Sequence, residues 1–322
     1  MSVNNISSIS TENLNAIKAR ASEITSSSDS SIWNEYKNFD ANGNGSIADD
    51  IDNMSDVDIM SIGEKFGILS DGTVQGTKQS DETGDCYLLS GVNALSNTEW
   101  GKQAISNAIE PDGNNGYNVT LYNADGEKET VNITAEELTA NPEKYSSGDI
   151  DMKIIEVAAE KFYSSHINED AYSYKNPDSP LTEGLMEGKT SILYMLTGSE
   201  GNVLQSEAID KRIPESALSP NRSALTDETL NKLLTEISSN PDNYASMCSF
   251  KKQNFLQKLL GGSNTVSEHG YSIKGVQRNY DGSIESVILQ NPWNSSEEIT
   301  MPYDKFKSQV TYFVTHNPDD TI

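Results

Sequence analysis

Basic residues are scarce in this chain of 322 residues, and the shortage excludes one class of partner. Lys and Arg number 23 against 49 Asp and Glu, which gives a formal net charge of −26. A surface with this excess of negative charge repels nucleic acids and anionic membranes, and no basic stripe offsets the repulsion. We therefore expect no nucleic-acid partner.

Cysteine and long apolar runs are also scarce. The two cysteines, Cys86 and Cys248, are too few for a secreted disulfide scaffold. No apolar run approaches the ~20 residues of a membrane span, so we expect no membrane insertion. Residues 1–15 lack the basic and apolar regions of a cleavable secretory signal. The sequence leaves open a cytoplasmic location or export by a route that needs no signal peptide.

Cys86 opens a helical pattern of apolar residues. Gly84 and Asp85 form the turn before it, and the apolar positions after it share one helical face: Leu88, Leu89, Val92 and Leu95. A thiol in the first turn of a helix lies near unpaired backbone N–H groups, which favour the thiolate. Cys86 is therefore a candidate nucleophile. The alternative is an inert packing residue, and only partners elsewhere in the chain can decide.

A histidine and an asparagine supply those partners. His269 begins a predicted strand over 270–277, and Asn291 follows a second predicted strand over 286–290, with a turn between them at 279–282. Such a hairpin brings the two side chains together. The Asn291 carboxamide oxygen can then hold one ring nitrogen of His269 while the other faces the sulfur. Neither His166 nor His316 has an associated pattern.

Three motifs in this order resemble the calpain-like branch of the papain superfamily of cysteine proteases. Gly-Asp-Cys-Tyr-Leu-Leu at residues 84–89 resembles the family's Gly-Asp-Cys-Trp-Leu-Leu. His-Gly-Tyr-Ser-Ile at 269–273 resembles His-Ala-Tyr-Ser-Val, and Asn-Pro-Trp at 291–293 resembles Asn-Pro-Trp-Gly. Residues 154–161 are similar to one of the family's helices. The resemblance covers roughly residues 62–318.

The resemblance implies an α+β, two-lobed papain-like fold. We expect an N-terminal helical extension over 1–61, a mainly helical first lobe over 62–201 and a β-rich second lobe over 202–322. The implied activity is that of a cysteine endopeptidase that cleaves protein or peptide substrates through a thioester acyl-enzyme. Two alternatives stay open: a papain-fold acyltransferase or amidase that modifies a specific protein, and a catalytically silent binding module.

The resemblance also assigns roles to single residues. Cys86 is the nucleophile, His269 the base and later the acid, and Asn291 the residue that orients the imidazole. Trp293 shields the hydrogen bond between His269 and Asn291 from water. The family's oxyanion glutamine stands six residues before its cysteine, whereas Gln79 stands seven before Cys86 and position 80 is Ser. Gln79 is nevertheless the candidate oxyanion donor, beside the backbone N–H of Cys86.

Calcium is the only cofactor that the sequence suggests, and the chemistry does not require it. Residues 40–47 resemble the first eight positions of an EF-hand loop, with Asp40, Asn42 and Asn44 as oxygen donors. Position twelve, normally Glu, is Ile51, and a polar Asx turn between two helices is the favoured alternative. The family resemblance implies further Ca²⁺ sites in the two lobes. Glu156 matches one ligand position, although a helix-surface carboxylate is again the alternative.

Periodicity predicts several other elements. We expect helices over 11–26, 151–164 and 226–238, a helix-like stretch over 184–194, and a hairpin over 117–133. Lysines and glycines between 251 and 262 predict an exposed mobile loop.

Overall fold

The structure is a computed structural model that describes residues 11–28, 30–66, 68–113, 116–141, 143–182, 184–206, 210–251 and 269–318. The chain divides into two compact units. The first comprises the described residues up to Asp71 together with Asp149–Asp151, and the second comprises Gly72–Gly148 and the described residues from Met152 onward. The loop predicted over 251–262 lies outside the described residues, apart from Lys251.

The described ranges of the first unit contain three helices, α1 (Thr11–Ser22), α2 (Ser30–Tyr36) and α3 (Asp56–Lys65). Helix α1 ends four residues before the end that periodicity predicts. The Ser55 side chain caps α3 by accepting a hydrogen bond from the Asp58 N–H. The apolar faces of the unit close over one core, which consists of Ile17, Ala21, Ile24, Tyr36, Ile47, Ile51, Ile59, Ile62 and Leu69.

Among the described residues, seven further helices belong wholly or mainly to the second unit. They are α4 (Cys86–Ser96), α5 (Glu99–Ala108), α6 (Ala135–Ala140), α7 (Ile150–His166), α8 (Ile192–Thr197), α9 (Asp227–Ser239) and α10 (Tyr303–Gln309). The first residues of α7 fall in the first unit. Thr134 begins α6 with a capping box, in which its side chain and Glu137 exchange hydrogen bonds with each other's backbone.

The part of the chain that the structure describes contains ten strands in two sheets, so the fold is α+β. Strands β1 (Ile109–Pro111), β2 (Tyr117–Tyr122) and β3 (Lys128–Ile133) form a small antiparallel sheet. The seven-stranded sheet has the order β5-β4-β10-β6-β7-β8-β9 and is mixed, because β4 and β5 pair in parallel. Its strands are β4 (Asn202–Gln205), β5 (Arg222–Ala224), β6 (Ala245–Phe250), β7 (Tyr271–Arg278), β8 (Ile284–Asn291), β9 (Asn294–Pro302) and β10 (Val310–His316).

Helices lie on both faces of the large sheet. Cys248 of β6 is buried in a cluster with Leu234 of α9 and Phe306 of α10. Met247, the residue before Cys248, faces the other side of the sheet, where Gly91 of α4 approaches it. Helix α4 therefore packs on β6 and β7, and this packing places its first residue near the beginning of β7.

Most predicted elements are confirmed, with one clear error. The hairpin over 117–133 and the helices predicted over 151–164 and 226–238 are present, as β2–β3, α7 and α9. The stretch 184–194 is wrong as a helix, because only Ile192–Thr197 is α-helical there. Gly188 has φ +69°, a left-handed conformation that cannot continue a right-handed helix. Periodicity did not predict β4, β6 or β9.

Candidate active site

Cys86 is the first residue of α4 and lies half-buried beside the beginning of β7. The carbonyl of Asp85 accepts hydrogen bonds from the N–H groups of Leu88 and Leu89, which starts the helix at the cysteine. The Gly270 N–H points at the sulfur, with 3.5 Å between N and Sγ. A Cβ at position 270 would lie 3.1 Å from the Cys86 carbonyl oxygen, so this close approach favours glycine.

His269 and Asn291 meet as the hairpin predicts. Ser272 pairs with Gln290 across β7 and β8, so the residues just beyond this pair lie at the same end of the hairpin. His269 Nε2 is 2.8 Å from Asn291 Oδ1. Because a carboxamide oxygen only accepts, Nε2 carries the proton, and Nδ1 is left as the free acceptor of the neutral ring.

Trp293 covers this hydrogen bond. Its ring centroid lies 4.7 Å from that of His269, and its backbone N–H donates to Asn291 Oδ1 at 3.1 Å. Trp293 is itself 52% exposed. The indole therefore forms a rim between the imidazole and solvent, as the resemblance implies.

Burial pushes the cysteine and the histidine toward their neutral forms. It raises the pKa of the Cys86 thiol; the Gly270 N–H opposes the shift and the Asp85 charge adds to it. Burial also lowers the pKa of His269, and the hydrogen bond to Asn291 opposes that shift. Both shifts act in favour of a thiol beside a neutral imidazole. They oppose the thiolate that the position of Cys86 at a helix start predicts, and that thiolate stays a prediction.

Gln79 is connected to both sides of the site. Its backbone N–H donates to the Pro292 carbonyl at 2.9 Å, next to Asn291. Its side-chain Nε2 donates to the Thr83 carbonyl at 3.0 Å and to Asp85 Oδ1 at 3.1 Å. The loop before Cys86 therefore folds back so that the Gln79 carboxamide reaches the residue adjacent to the nucleophile.

Three buried ionisable groups lie beneath α4. Asp85 and Glu156 are both completely buried, and burial raises the pKa of Asp85 to about 6. Burial and the nearby Asp85 charge raise the pKa of Glu156 well above its usual range. Lys175 is 4% exposed. Two neighbouring carboxyls and one ammonium thus form a buried cluster in which the charges offset each other in part.

Lys175 is a residue that sequence reasoning missed. Its Nζ donates to the Tyr87 hydroxyl at 2.7 Å and lies 3.8 Å from the ring centroid of Tyr163 and 4.6 Å from that of Tyr87. These cation–π contacts and the Asp85 charge favour the ammonium form, while burial lowers the pKa of Lys175. No local sequence signal marks this lysine, because its partners come from distant parts of the chain.

The residues proposed as Ca²⁺ ligands belong to two separate candidate sites. Asp40, Asn42 and Asn44 lie in the first unit, and Glu156 lies in the second. Within the described ranges, no group of three or more His, Cys, Asp or Glu side chains could hold a metal ion.

Glu156 is a buried residue and not a carboxylate on the helix surface. Its two oxygens accept from the Ser146 N–H at 3.0 Å and from the Ser146 hydroxyl. Asp85 is a neighbouring carboxyl, and Ca²⁺ binding by Glu156 stays a prediction.

The Asp40 loop is built from Asx turns. Asp40 accepts hydrogen bonds from the N–H groups of Gly43 and Gly45. The side-chain nitrogens of Asn42 and Asn44, rather than their oxygens, face Asp49 Oδ2 at 2.9 and 2.6 Å. This geometry agrees with the polar turn between helices that the sequence favours.

Over the part of the chain that the structure describes, no helix is both long enough and apolar enough to span a membrane.

Comparisons with known proteins leave the site to be judged on its own geometry. No family model matches the chain, and no curated protein matches it. The chain is similar to a crystal structure of PepW from Lactobacillus rhamnosis HN001. The alignment covers 97% of this chain and 93% of the PepW chain. The sequence identity is 10% and the TM-score is 0.35, values too low to support an inference about fold or activity.

Proposed function

We propose that the protein is a cysteine endopeptidase with a papain-like, two-lobed architecture of the calpain-like branch. The helical layer with Cys86 corresponds to the first lobe, and the seven-stranded sheet with His269 and Asn291 corresponds to the second. One observation carries the proposal. His269 Nε2 is 2.8 Å from Asn291 Oδ1, at the end of the hairpin where the Gly270 N–H reaches the sulfur of Cys86.

Acylation begins with a proton transfer from Cys86 to His269. Nδ1 of His269 takes the Cys86 proton as the sulfur attacks the substrate carbonyl carbon, and the carbonyl π electrons move to the oxygen. The N–H of Cys86 and the Gln79 carboxamide stabilise the resulting oxyanion. Asn291 accepts from Nε2 throughout and so stabilises the imidazolium.

The intermediate then collapses to a thioester. The carbonyl re-forms, the C–N bond breaks, and His269 returns the proton to the leaving amine. In deacylation His269 takes a proton from water, the hydroxide attacks the thioester, and the sulfur leaves and is reprotonated. The cycle consumes one water and one peptide bond, and it restores the thiol and the neutral imidazole.

The test compares the two cysteines. Cys86→Ala should lower the cleavage of a denatured protein substrate by at least about a thousandfold and abolish labelling by iodoacetamide. Cys248→Ala is the matched control, because Cys248 is completely buried on β6 and should leave cleavage and labelling unchanged. Circular dichroism of both variants checks the fold.

The products separate hydrolysis from other acyl transfers. New N-termini in a proteomic comparison of wild type and Cys86→Ala would support peptide-bond cleavage. Mass changes on substrate side chains without new N-termini would favour the acyltransferase or amidase alternative. Cleavage that persists in Cys86→Ala would overturn the proposal.

A further inference from the structure

The Gln79 side chain donates to Asp85, a residue that is held in place by its own contacts. The Gln79 carboxamide has two N–H donors, and both are used: one by the Thr83 carbonyl and one by Asp85 Oδ1. The Gln79 carboxamide oxygen is buried and accepts no hydrogen bond from the described residues. The direction of the amide is therefore set by its two acceptors alone.

The backbone around Gln79 is held by other contacts. The Gln79 N–H donates to the Pro292 carbonyl, and the Thr83 hydroxyl donates to the Lys144 carbonyl at 2.6 Å. The Ser80 hydroxyl donates to the Glu143 carbonyl. Removing the Asp85 carboxylate therefore removes a constraint on the amide without releasing the loop.

Asp85 is itself fixed. Its carbonyl begins α4 by accepting from Leu88 and Leu89 at 2.8 and 3.2 Å, and its side chain is completely buried. Glu156 lies against its carboxyl, and the Lys175 charge is close enough to favour the anion. A buried carboxylate on the residue next to the nucleophile is thus a rigid acceptor.

We propose that Asp85 is a positioning residue that orients the Gln79 carboxamide for oxyanion stabilisation. The inference rests on the proposed function. Because both amide hydrogens are used in the free chain, one bond must be exchanged when the oxyanion forms. A hydrogen bond to a carboxylate is stronger than one to a neutral carbonyl, so the bond to Thr83 is the one exchanged while Asp85 keeps its hold. This anchor offsets the extra residue between Gln79 and Cys86.

A double-mutant cycle tests the coupling. Gln79→Ala should lower kcat about a hundredfold with little change in KM, which is typical of a lost oxyanion donor. Asp85→Ala should lower kcat to within about threefold of that level, and the double variant should be no slower than Gln79→Ala. Asp85→Asn keeps an oxygen that accepts from Nε2 but loses the charge that makes this bond the stronger of the two, so its kcat should lie between those of wild type and Asp85→Ala.

The matched control is Asp81→Ala, which removes an exposed carboxylate from the same loop and should leave kcat unchanged. Two inhibitors separate orientation from damage to the thiol. A peptide aldehyde forms an oxyanion-like adduct. Its affinity for Asp85→Ala should fall by the same factor as kcat does. Iodoacetamide alkylates the sulfur without an oxyanion, so its rate should not change.

If Asp85→Ala does not fold, an NMR measurement on the wild-type protein tests the inference instead. In the NMR spectrum of the Gln79 side-chain amide, aldehyde binding should shift the hydrogen that faces Thr83 and leave the one that faces Asp85. A shift of the Asp85-facing hydrogen alone would overturn the inference, as would multiplicative losses in the double variant. If wild type neither cleaves nor reacts at Cys86, the proposed function itself fails.

Discussion

His269 presents a defined ring nitrogen to Asn291, and this determines how the site responds to pH. In the proposed mechanism the base must be neutral to accept the Cys86 proton, so kcat/KM should fall when His269 becomes protonated. Because burial lowers the pKa of His269, we expect the acid limb of the pH profile at a lower pH than an ordinary histidine gives. The raised pKa of Cys86 predicts a plateau from neutral pH upward. The measurement is kcat/KM against pH with a peptide substrate.

Asn291→Leu tests the cause of that limb. Leucine preserves the burial but cannot accept from Nε2, and this hydrogen bond is what opposes the lowering of the His269 pKa by burial. The acid limb should therefore move to a lower pH, while kcat falls because the ring is no longer oriented. An upward shift in the variant, or a wild-type acid limb at a higher pH than an ordinary histidine gives, would contradict this assignment of the base.

Trp293 gives a second prediction at the level of the residue. Trp293→Ala should lower kcat/KM about tenfold, close to 1.4 kcal/mol, because water can then compete for the bond between His269 and Asn291. Tyr280→Ala is the control, since Tyr280 is a fully exposed aromatic residue on the β7–β8 turn. Equal losses in the two variants would show that the indole does not shield the site.

At the scale of the element, helix α4, which begins at Cys86, packs closely on its neighbours at Gly91. A Cβ at Gly91 would lie 2.4 Å from Ile192 Cγ2 and 3.5 Å from the sulfur of Met247. Alanine would gain about 1 kcal/mol in helix propensity, but overpacking of this kind costs about 1–3 kcal/mol. We expect the overpacking to prevail, so Gly91→Ala should lower the free energy of unfolding in urea. Gln103→Ala, on the exposed face of α5, should be nearly neutral. A higher free energy of unfolding for Gly91→Ala would show that α8 can move far enough to accommodate the added methyl group.

The elements also show which parts of the site were predictable. The β7–β8 hairpin has a turn with Gly282 at φ +85° between two apolar stretches, so local sequence predicts how His269 and Asn291 meet. Strand β6 is buried on both faces along nearly its whole length, and it shows no alternation that periodicity could detect. The approach of Cys86 to this hairpin depends on α4 packing over β6. That contact is tertiary, as is the burial of Lys175, and neither leaves a local pattern.

At the scale of the whole molecule, the large negative charge complicates any test for calcium. With 49 acidic against 23 basic residues, any divalent cation should reduce self-repulsion and raise the melting temperature. Comparison with a chelator alone would therefore confuse screening with binding. A useful comparison sets Ca²⁺ against Mg²⁺ at equal ionic strength, with Asp40→Ala as the matched variant.

We expect equal melting temperatures in Ca²⁺ and Mg²⁺. The Asn42 and Asn44 amide nitrogens face Asp49, and Ile51, at the closing position of the loop, is completely buried in the core of the first unit. A bound ion at a hundred times its Kd would add about 2.7 kcal/mol of stability, which is several degrees for a small domain. A rise of that size in Ca²⁺ alone that is lost in Asp40→Ala would establish the loop as a calcium site. It would also show that the Asn42 and Asn44 side-chain amides flip when the ion binds. A rise that persists in Asp40→Ala would instead place the ion elsewhere in the chain.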